Sequence, residues 1–413
     1  MTNKAILVGA VYFGQPYDIH TSMQELEALA NACDIEVADV FIQKMDHINI
    51  STYIGKGKVE EVQMQAEATG SDFVIVNEEL SPSQLVNLEE LLACKVLDRT
   101  TLILEIFARR AATKEAKLQV EIATLRYMLP RLIGLSTGIY SQQGGSGFRG
   151  IGETKLELDR RKIKHQITVL EEELKEAVRQ RQIQRSAREK KELPVVAIVG
   201  YTNSGKSTLL NWFLTSYGKE EKQVLAKDML FATLETATRS ITLDDNKQFL
   251  LTDTVGFVDQ LPHHLVKAFR STLEEVKEAD LLLHVVDLAN PNYPTQIEVT
   301  NQVLGEIGVK EIPMIYVYNK ADLNEQLMEY QSPFVKISAL QKQGMPELLG
   351  AIKTSLFNMY QVCTMRIPYE DSAVYAYLKR NAHLIAEEET EDGYNIEVEL
   401  SPKDFAIYQS YIQ

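Results

Sequence analysis

VVAIVGYTNSGKST, residues 195–208, decides how this chain is read. An apolar run enters Gly200, crosses four residues to Gly205-Lys206-Ser207, and passes into a helix-like stretch from Thr208 to Phe213. This is the GxxxxGK[ST] pattern, set between a strand and a helix as the pattern requires. Its glycines let backbone N–H groups wrap a phosphate, and the helix turns its positive dipole end toward the same anion. Gly200, Tyr201, Thr202, Asn203, Ser204, Gly205 and Thr208 are therefore candidate phosphate contacts. Lys206 would reach the β- and γ-phosphates, and Ser207 would give an oxygen to Mg2+.

Outward from this loop, FLLTDTVGF (249–257) places Asp253, Thr254, Val255 and Gly256 at the end of a second strand. Asp253 suits a metal-associated carboxylate, and the Gly256 N–H suits the γ-phosphate. A third strand, PMIYVYNKADL (313–323), ends in Asn319-Lys320-Ala321-Asp322. Asp322 can accept from both guanine N1–H and the exocyclic amine. Adenine has no amine at that position and offers an acceptor at N1, so the carboxylate would be left unpaired with the wrong base. Asn319 is placed to read the other edge and the Lys320 stem to cover the ring. Ser338-Ala339-Leu340 ends another strand, where a backbone N–H can meet guanine O6. Together these motifs imply a guanine-nucleotide domain that binds GTP and GDP; no GxGxxG is present here to support a dinucleotide reading.

Phe231-Ala232-Thr233-Leu234-Glu235 lies between the first two motifs. Thr233 would complete the Mg2+ shell with GTP bound and release it after hydrolysis. The competing reading is an ordinary β-branched loop residue. Phe257 follows Gly256, where many GTPases carry a water-orienting Gln. A phenyl ring cannot orient water, so hydrolysis should be slow unless a partner assists. Asn203 could hold a monovalent cation, K+, against the phosphates. The expected catalytic set is Lys206, Thr233, Gly256 and Asn203, with Ser207, Thr233 and Asp253 as metal ligands.

The 413 residues allow about 2.75 domains at roughly 150 residues each. Residues 1–100 alternate strand-like and helix-like segments: strands at 5–12, 35–42, 73–76 and 95–97, and helices at 22–31, 56–68 and 82–92, the last opened by Ser81. That alternation predicts a parallel sheet under helices. YIGKGK (53–58) lacks a GK[ST] and reads as a turn and helix start rather than a second phosphate site. Two apolar seams follow within 101–192. One runs from Leu104 to Leu129 and the other from Leu156 to Val178, joined by a glycine-rich segment at 134–152. They predict an antiparallel helical hairpin with a flexible tip. Residues 193–360 form the expected nucleotide domain. Residues 361–413 form a small α+β tail, with strands near 364–367 and 394–400, a helix near 372–381, and a helix after Ser401.

At 45% hydrophobic and 24% charged residues, the chain is an ordinary globular one. Its longest apolar runs fall far short of the ~20 residues of a membrane span, and no secretory leader is visible. Cys33, Cys94 and Cys363 are far apart and form no metal or disulfide pattern, so a reduced, cytoplasmic protein is expected. The net charge of −15 is unevenly spread: Arg109 to Lys191 holds 19 Lys/Arg against 10 Asp/Glu, a local +9, which leaves −24 elsewhere. One basic module on an acidic body suits nucleic acid; the alternative is a solvated helical pair.

YIGKGKVEE (53–61), NEELSPSQLVNLEE (77–90), VLDRTTLILEIFARRA (96–111), LQVEIATLRYMLPRL (118–132), GGSGFRGIGETKLELDRR (144–161), GYTNSGKSTL, FATLE and DTVGF together resemble the HflX family of ribosome-associated GTPases. The resemblance covers about residues 1–345 and is less distinctive in the tail. It implies a monomeric GTPase that binds the large ribosomal subunit and splits or rescues ribosomes, often in stress. It also implies a hairpin directed at the peptidyl-transferase region. Arg149, Arg160, Arg161, Lys162 and Lys164 then become candidate rRNA phosphate contacts. The family's FATLDPTTR is here FATLETATR, and its GxRGPGET is GFRGIGET with Ile151. A subunit assembly factor, or a divergent paralogue linked to antibiotic resistance, stays open as an alternative.

Overall fold

The computed structural model describes the chain except residues 1–2, 16–17, 142–148, 187–192, 219–236, 255, 257–273, 310 and 325–329. The described residues up to position 186 form one compact unit and those from position 193 another.

In the first unit, strands β1 (Asn3–Val11), β2 (Ile35–Lys44), β3 (Phe73–Val76) and β4 (Lys95–Asp98) make a fully parallel sheet in the order β2-β1-β3-β4. Helices α1 (Ile19–Ala32), α2 (Lys56–Thr69) and α3 (Pro82–Leu92) are the crossovers. Their starts follow from local chemistry. Asp18 accepts the Thr21 N–H, and Ser81 forms a reciprocal capping box with Gln84 behind Pro82. Gly55 precedes α2 as its N-cap, so YIGKGK is a turn entering a helix. Ile6, Val8, Val74, Val76 and Val96 pack with Val59, Val62 and Leu88 into one core.

Three helices follow: α4 (Arg99–Arg110), α5 (Lys114–Ser141) and α6 (Arg149–Ser186). Two expectations are corrected here. The first seam is not continuous: it breaks at Ala111–Thr113, where Ala111 is extended and the Thr113 hydroxyl accepts the Ala116 N–H to start α5. The glycine-rich connection is also narrower than 134–152, since α5 runs to Ser141 and α6 begins at Arg149. Helical glycine costs only about 1 kcal/mol relative to alanine, so Gly134 and Gly138 do not stop a helix with apolar neighbours. Along the α5–α6 pair, Arg126 is ion-paired with Glu171, and Gln166 bonds to Glu121.

In the second unit, strands β5 (Val195–Gly200), β6 (Ala237–Thr242), β7 (Gln248–Asp253), β8 (Leu281–Asp287), β9 (Met314–Asn319) and β10 (Phe334–Lys336) form a sheet ordered β10-β9-β8-β5-β7-β6. All neighbours are parallel except the β6–β7 pair. Helices α7 (Lys206–Tyr217), α8 (Tyr293–Glu306) and α9 (Met345–Leu356) accompany it. Buried Val196, Ile198, Leu283, Val285 and Val317 pack against Leu210 and Phe213 of α7 and Leu348 and Ile352 of α9. The near-continuous apolar strands are those of a sheet covered on both faces.

The tail forms an antiparallel sheet, ordered β11-β13-β12, from β11 (Gln361–Pro368), β12 (His383–Thr390) and β13 (Gly393–Leu400), with helices α10 (Ser372–Asn381) and α11 (Pro402–Ile407). Strand β12 was absent from the sequence reading. It is an edge strand in which Glu387, Glu388 and Glu389 are all exposed, so it lacks the alternation that marks a half-buried strand.

Candidate functional site

The candidate site lies where β5, β7, β8 and β9 end. The chain leaves β5 through Gly200 at φ +143, passes Asn203 at φ +60, and reaches Gly205 at φ +93, which caps α7. Two of these glycines are demanded by contact as well as by φ. A Cβ on Gly200 would sit 2.3 Å from the Val285 carbonyl oxygen, and one on Gly205 would sit 2.1 Å from Asn319 Nδ2. The loop is thus pressed against β8 and β9, with Thr202 and Ser204 buried and Asn203 exposed.

Lys206 opens α7 and is buried. Its ammonium donates to the carbonyls of Gly200 (3.1 Å) and Tyr201 (2.6 Å). Burial pushes its pKa down to about 8, partly opposed by the buried carboxylate of Asp253. A lysine this far desolvated is primed to gain from an added anion. Gly256 comes back over the same ammonium: a Cβ there would lie 2.9 Å from Lys206 Nζ and 2.8 Å from Thr202 Cγ2. The loop's end and the Asp253–Gly256 segment are therefore adjacent.

Two buried hydroxyls in the loop, Thr202 Oγ1 and Ser204 Oγ, have no hydrogen-bond partner among the described residues. Buried polar groups are normally paired, so both hydroxyls are open to acceptors that a ligand would bring. Asp253 accepts the Thr254 N–H at 3.0 Å, and Thr254 Oγ1 donates to the Ile198 carbonyl at 2.6 Å, which ties the ends of β7 and β5 together. The Ser207 hydroxyl and the Asp253 carboxylate are hard oxygen donors of the kind Mg2+ takes. Among the described residues, no group of three His, Cys, Asp or Glu forms a metal cluster.

At the end of β9, Asn319 joins two loops. Its Nδ2 donates to the Ser204 carbonyl at 2.8 Å, and its Oδ1 accepts the Ala339 N–H at 2.9 Å. Sequence reasoning gave Asn319 a base-reading role. The structure gives it a bracing role between the phosphate loop and the Ser338–Leu340 segment. One amide hydrogen and one lone pair of Asn319 carry those bonds, and the Ala339 N–H is already used. Lys320, at φ +59, pairs with Asp287 at 2.7 Å, which fixes its stem. Asp322 is exposed beside it, Ala321 donates its N–H to the Ile337 carbonyl, and Leu340 is exposed.

Phe231, Ala232, Thr233, Leu234, Glu235, Val255 and Phe257 lie outside the described residues. Arg149 starts α6; on the same helix Arg161, Lys162 and Lys164 are exposed, Arg160 is half-buried, and Arg161 is ion-paired with Glu157. His284 was missed by sequence reasoning. It is buried in β8, its Nδ1 has no partner among the described residues, and burial together with the Lys206 charge holds it neutral, with a pKa lowered to about 3. Only its apolar strand context was visible in the sequence, and nothing there marks it out.

Three family models match in succession: "GTP-binding GTPase N-terminal" over residues 20–108, "GTP-binding GTPase Middle Region" over 110–188, and "50S ribosome-binding GTPase" over 195–320. A relative described as GTPase HflX from Caldanaerobacter subterraneus subsp. tengcongensis is 46% identical over 398 residues, covering 96% of this chain and 91% of its own. Another of that description, from Escherichia coli K12, is 39% identical over 397 residues, covering 94% and 91%. A crystal structure of a GTP-binding protein from Sulfolobus solfataricus in complex with GDP is 26% identical, covers 86% of this chain and 99% of that one, and superposes with a TM-score of 0.46.

Proposed function

The chain belongs to the HflX family of GTPases, and from that premise we propose that it couples GTP hydrolysis at the Lys206 loop to binding of the large ribosomal subunit, and so to the splitting or rescue of ribosomes. One observation carries the nucleotide part: the buried Lys206 ammonium, the orphaned Thr202 and Ser204 hydroxyls and the Asp253 carboxylate meet in one loop cluster.

When triphosphate enters, Lys206 exchanges its two carbonyl partners for phosphate oxygens, and the Thr202 and Ser204 hydroxyls gain acceptors. Ser207, Asp253 and Thr233 would hold Mg2+, which would supply positive charge against the phosphates. The Gly256 N–H follows the γ-phosphate, and its loss after hydrolysis releases Gly256 and Thr233 together. Asn203, exposed on the loop at φ +60, is the residue we assign to K+. Asp322 accepts the two guanine donors while Asn319 keeps the loops braced. Phe257 supplies no group to orient water, so hydrolysis depends on the partner.

The ribosomal part rests on the description of the family model over 195–320 and on the local +9 of residues 109–191. Exposed Arg161, Lys162 and Lys164 on α6, with Arg149 and Arg160, are suited to rRNA phosphates, so binding should weaken steeply with salt. Sedimentation of ribosomes with this protein tests the proposal. GTP, but not GDP, should move material from the ribosome peak to the subunit peaks. An unchanged profile in GTP, with protein bound, would refute splitting. Binding only to free large subunits would favour an assembly role.

A further inference from the structure

Strands β6 and β7 form a two-stranded ribbon whose near end pairs Ala237 with Asp253 and whose far end pairs Thr242 with Gln248. Its near end leads to the candidate nucleotide site, because β7 ends on Asp253. The ribbon's six residues per strand make it roughly 20 Å long. The turn at its far end is held by three other elements.

Lys247 is almost wholly buried. Its ammonium pairs with Glu399 of β13 at 2.8 Å and lies over the rings of Phe357 and Tyr360, 5.6 and 5.5 Å from their centroids. Glu399 also meets His383 of β12 at 3.2 Å. Asn246, at φ +61, donates its amide to the Ala382 carbonyl at 2.9 Å, at the end of α10. Asp245 accepts Lys353 of α9 at 2.7 Å. Three consecutive turn residues are thus fastened to α9 and to the tail. Taking a lysine out of water in this way costs desolvation that only close partners repay, and here a carboxylate and two rings supply them.

We propose that Asp245, Asn246 and Lys247 are positioning residues for GTP hydrolysis: the C-terminal segment grips the far end of the ribbon and so sets where Asp253 stands at the nucleotide site. The proposal rests on the reading of Asp253 as nucleotide-contacting. By linkage, a grip that favours one nucleotide state must itself be tightened by that nucleotide, and couplings of this kind are typically about five-fold or more in affinity.

The test measures, on the full chain with Mg2+, the ratio of dissociation constants for GDP and a non-hydrolysable GTP analogue. Lys247→Ala and Asn246→Gly should each change that ratio by about five-fold or more, while Lys247→Arg, which keeps the charge over the rings, should stay close to wild type. Glycine accepts φ +61 without strain, so Asn246→Gly keeps the turn and removes only the amide, which covers the case in which Lys247→Ala does not fold. A merely structural role would lower the melting temperature and leave the ratio alone; unchanged ratios in the folded turn variants overturn the proposal. Asp253→Ala separates the two readings. A shifted ratio there with unshifted turn variants removes the grip alone, whereas an unshifted ratio in Asp253→Ala removes the nucleotide assignment beneath it.

Discussion

The sheet of β1–β4 and the sheet of β5–β10 are built alike. Both are largely parallel, both are crossed by helices, and both end in loops at the carboxyl edge, where such sheets bind ligands. They differ in what becomes of the polar groups there. In the first, these groups are used internally. The Ala10 N–H donates to the Tyr53 hydroxyl, and the Leu80 N–H to Asp98. Asp98 also takes the Tyr127 hydroxyl and Arg131, both from α5. Asn77 is held by Ser22 and Arg99, and Arg99 pairs with Glu25. In the second, the loop after β5 keeps two buried hydroxyls and a desolvated ammonium that, among the described residues, meet no side-chain acceptor within hydrogen-bond range. The same architecture is a platform for a helical pair in one place and a ligand site in the other. Side-chain partners, not topology, separate the two.

The sharpest way to break this comparison is to remove one buried charge from each sheet. Lys206→Ala should abolish GTP hydrolysis, because the phosphates lose their ammonium, while thermal unfolding stays near wild type. Asp98→Ala should do the reverse. It takes the buried carboxylate from Arg131, Tyr127 and the Leu80 N–H and removes the cap of α4, a loss of about 3 kcal/mol in stability, with GTP affinity per folded molecule unchanged. Hydrolysis assays and denaturant melts on both variants check this; GTP affinity lost in folded Asp98→Ala would blur the distinction.

A smaller effect is expected from base choice. Asp322→Asn presents an amide that cannot accept both guanine donors, so preference for GTP over ATP should fall by several kcal/mol. Competition binding measures it, and an unchanged preference would detach Asp322 from the base.

Glycine substitutions sharpen the contrast. Gly200→Ala meets the Val285 carbonyl at 2.3 Å and should cost nucleotide binding outright. Gly14→Ala, at φ +82 with nothing within 4 Å, should cost about 1 kcal/mol of backbone strain and no binding.

The smallest effect is in protons. Lys206 without nucleotide has a pKa near 8, lowered by burial, and phosphate raises it. Between the two values the complex holds a proton that the free protein lacks. GTP affinity should therefore be flat below about pH 8 and fall as pH rises above it, with net proton uptake on binding. Titration calorimetry at pH 9 in buffers of different ionisation enthalpy reads this directly.

Much of the site was legible because it is local. Gly200 to Ser207 is a single strand–loop–helix signal, and Asp253 and Asn319 end apolar strands that announce themselves. The bracing role of Asn319 was not legible, since Ser204 and Ala339 are 115 and 20 residues away and only the fold brings them to its amide. Strand β12 was hidden because its glutamates face water on an exposed edge. The burial of Lys247 was hidden because Glu399 lies 152 residues further on. The break before α5 escaped because an apolar seam continues across Ala111 although the backbone does not.

The central claim is that this chain binds GTP in the β5 loop and uses Lys206 to do so. Isothermal titration of GTP with Mg2+ into wild type and into folded Lys206→Ala tests it most directly. With Lys206 holding the phosphates, one GTP binds per wild-type chain and none measurably in the variant; a Lys206→Ala protein that still binds one GTP at wild-type affinity would contradict that role.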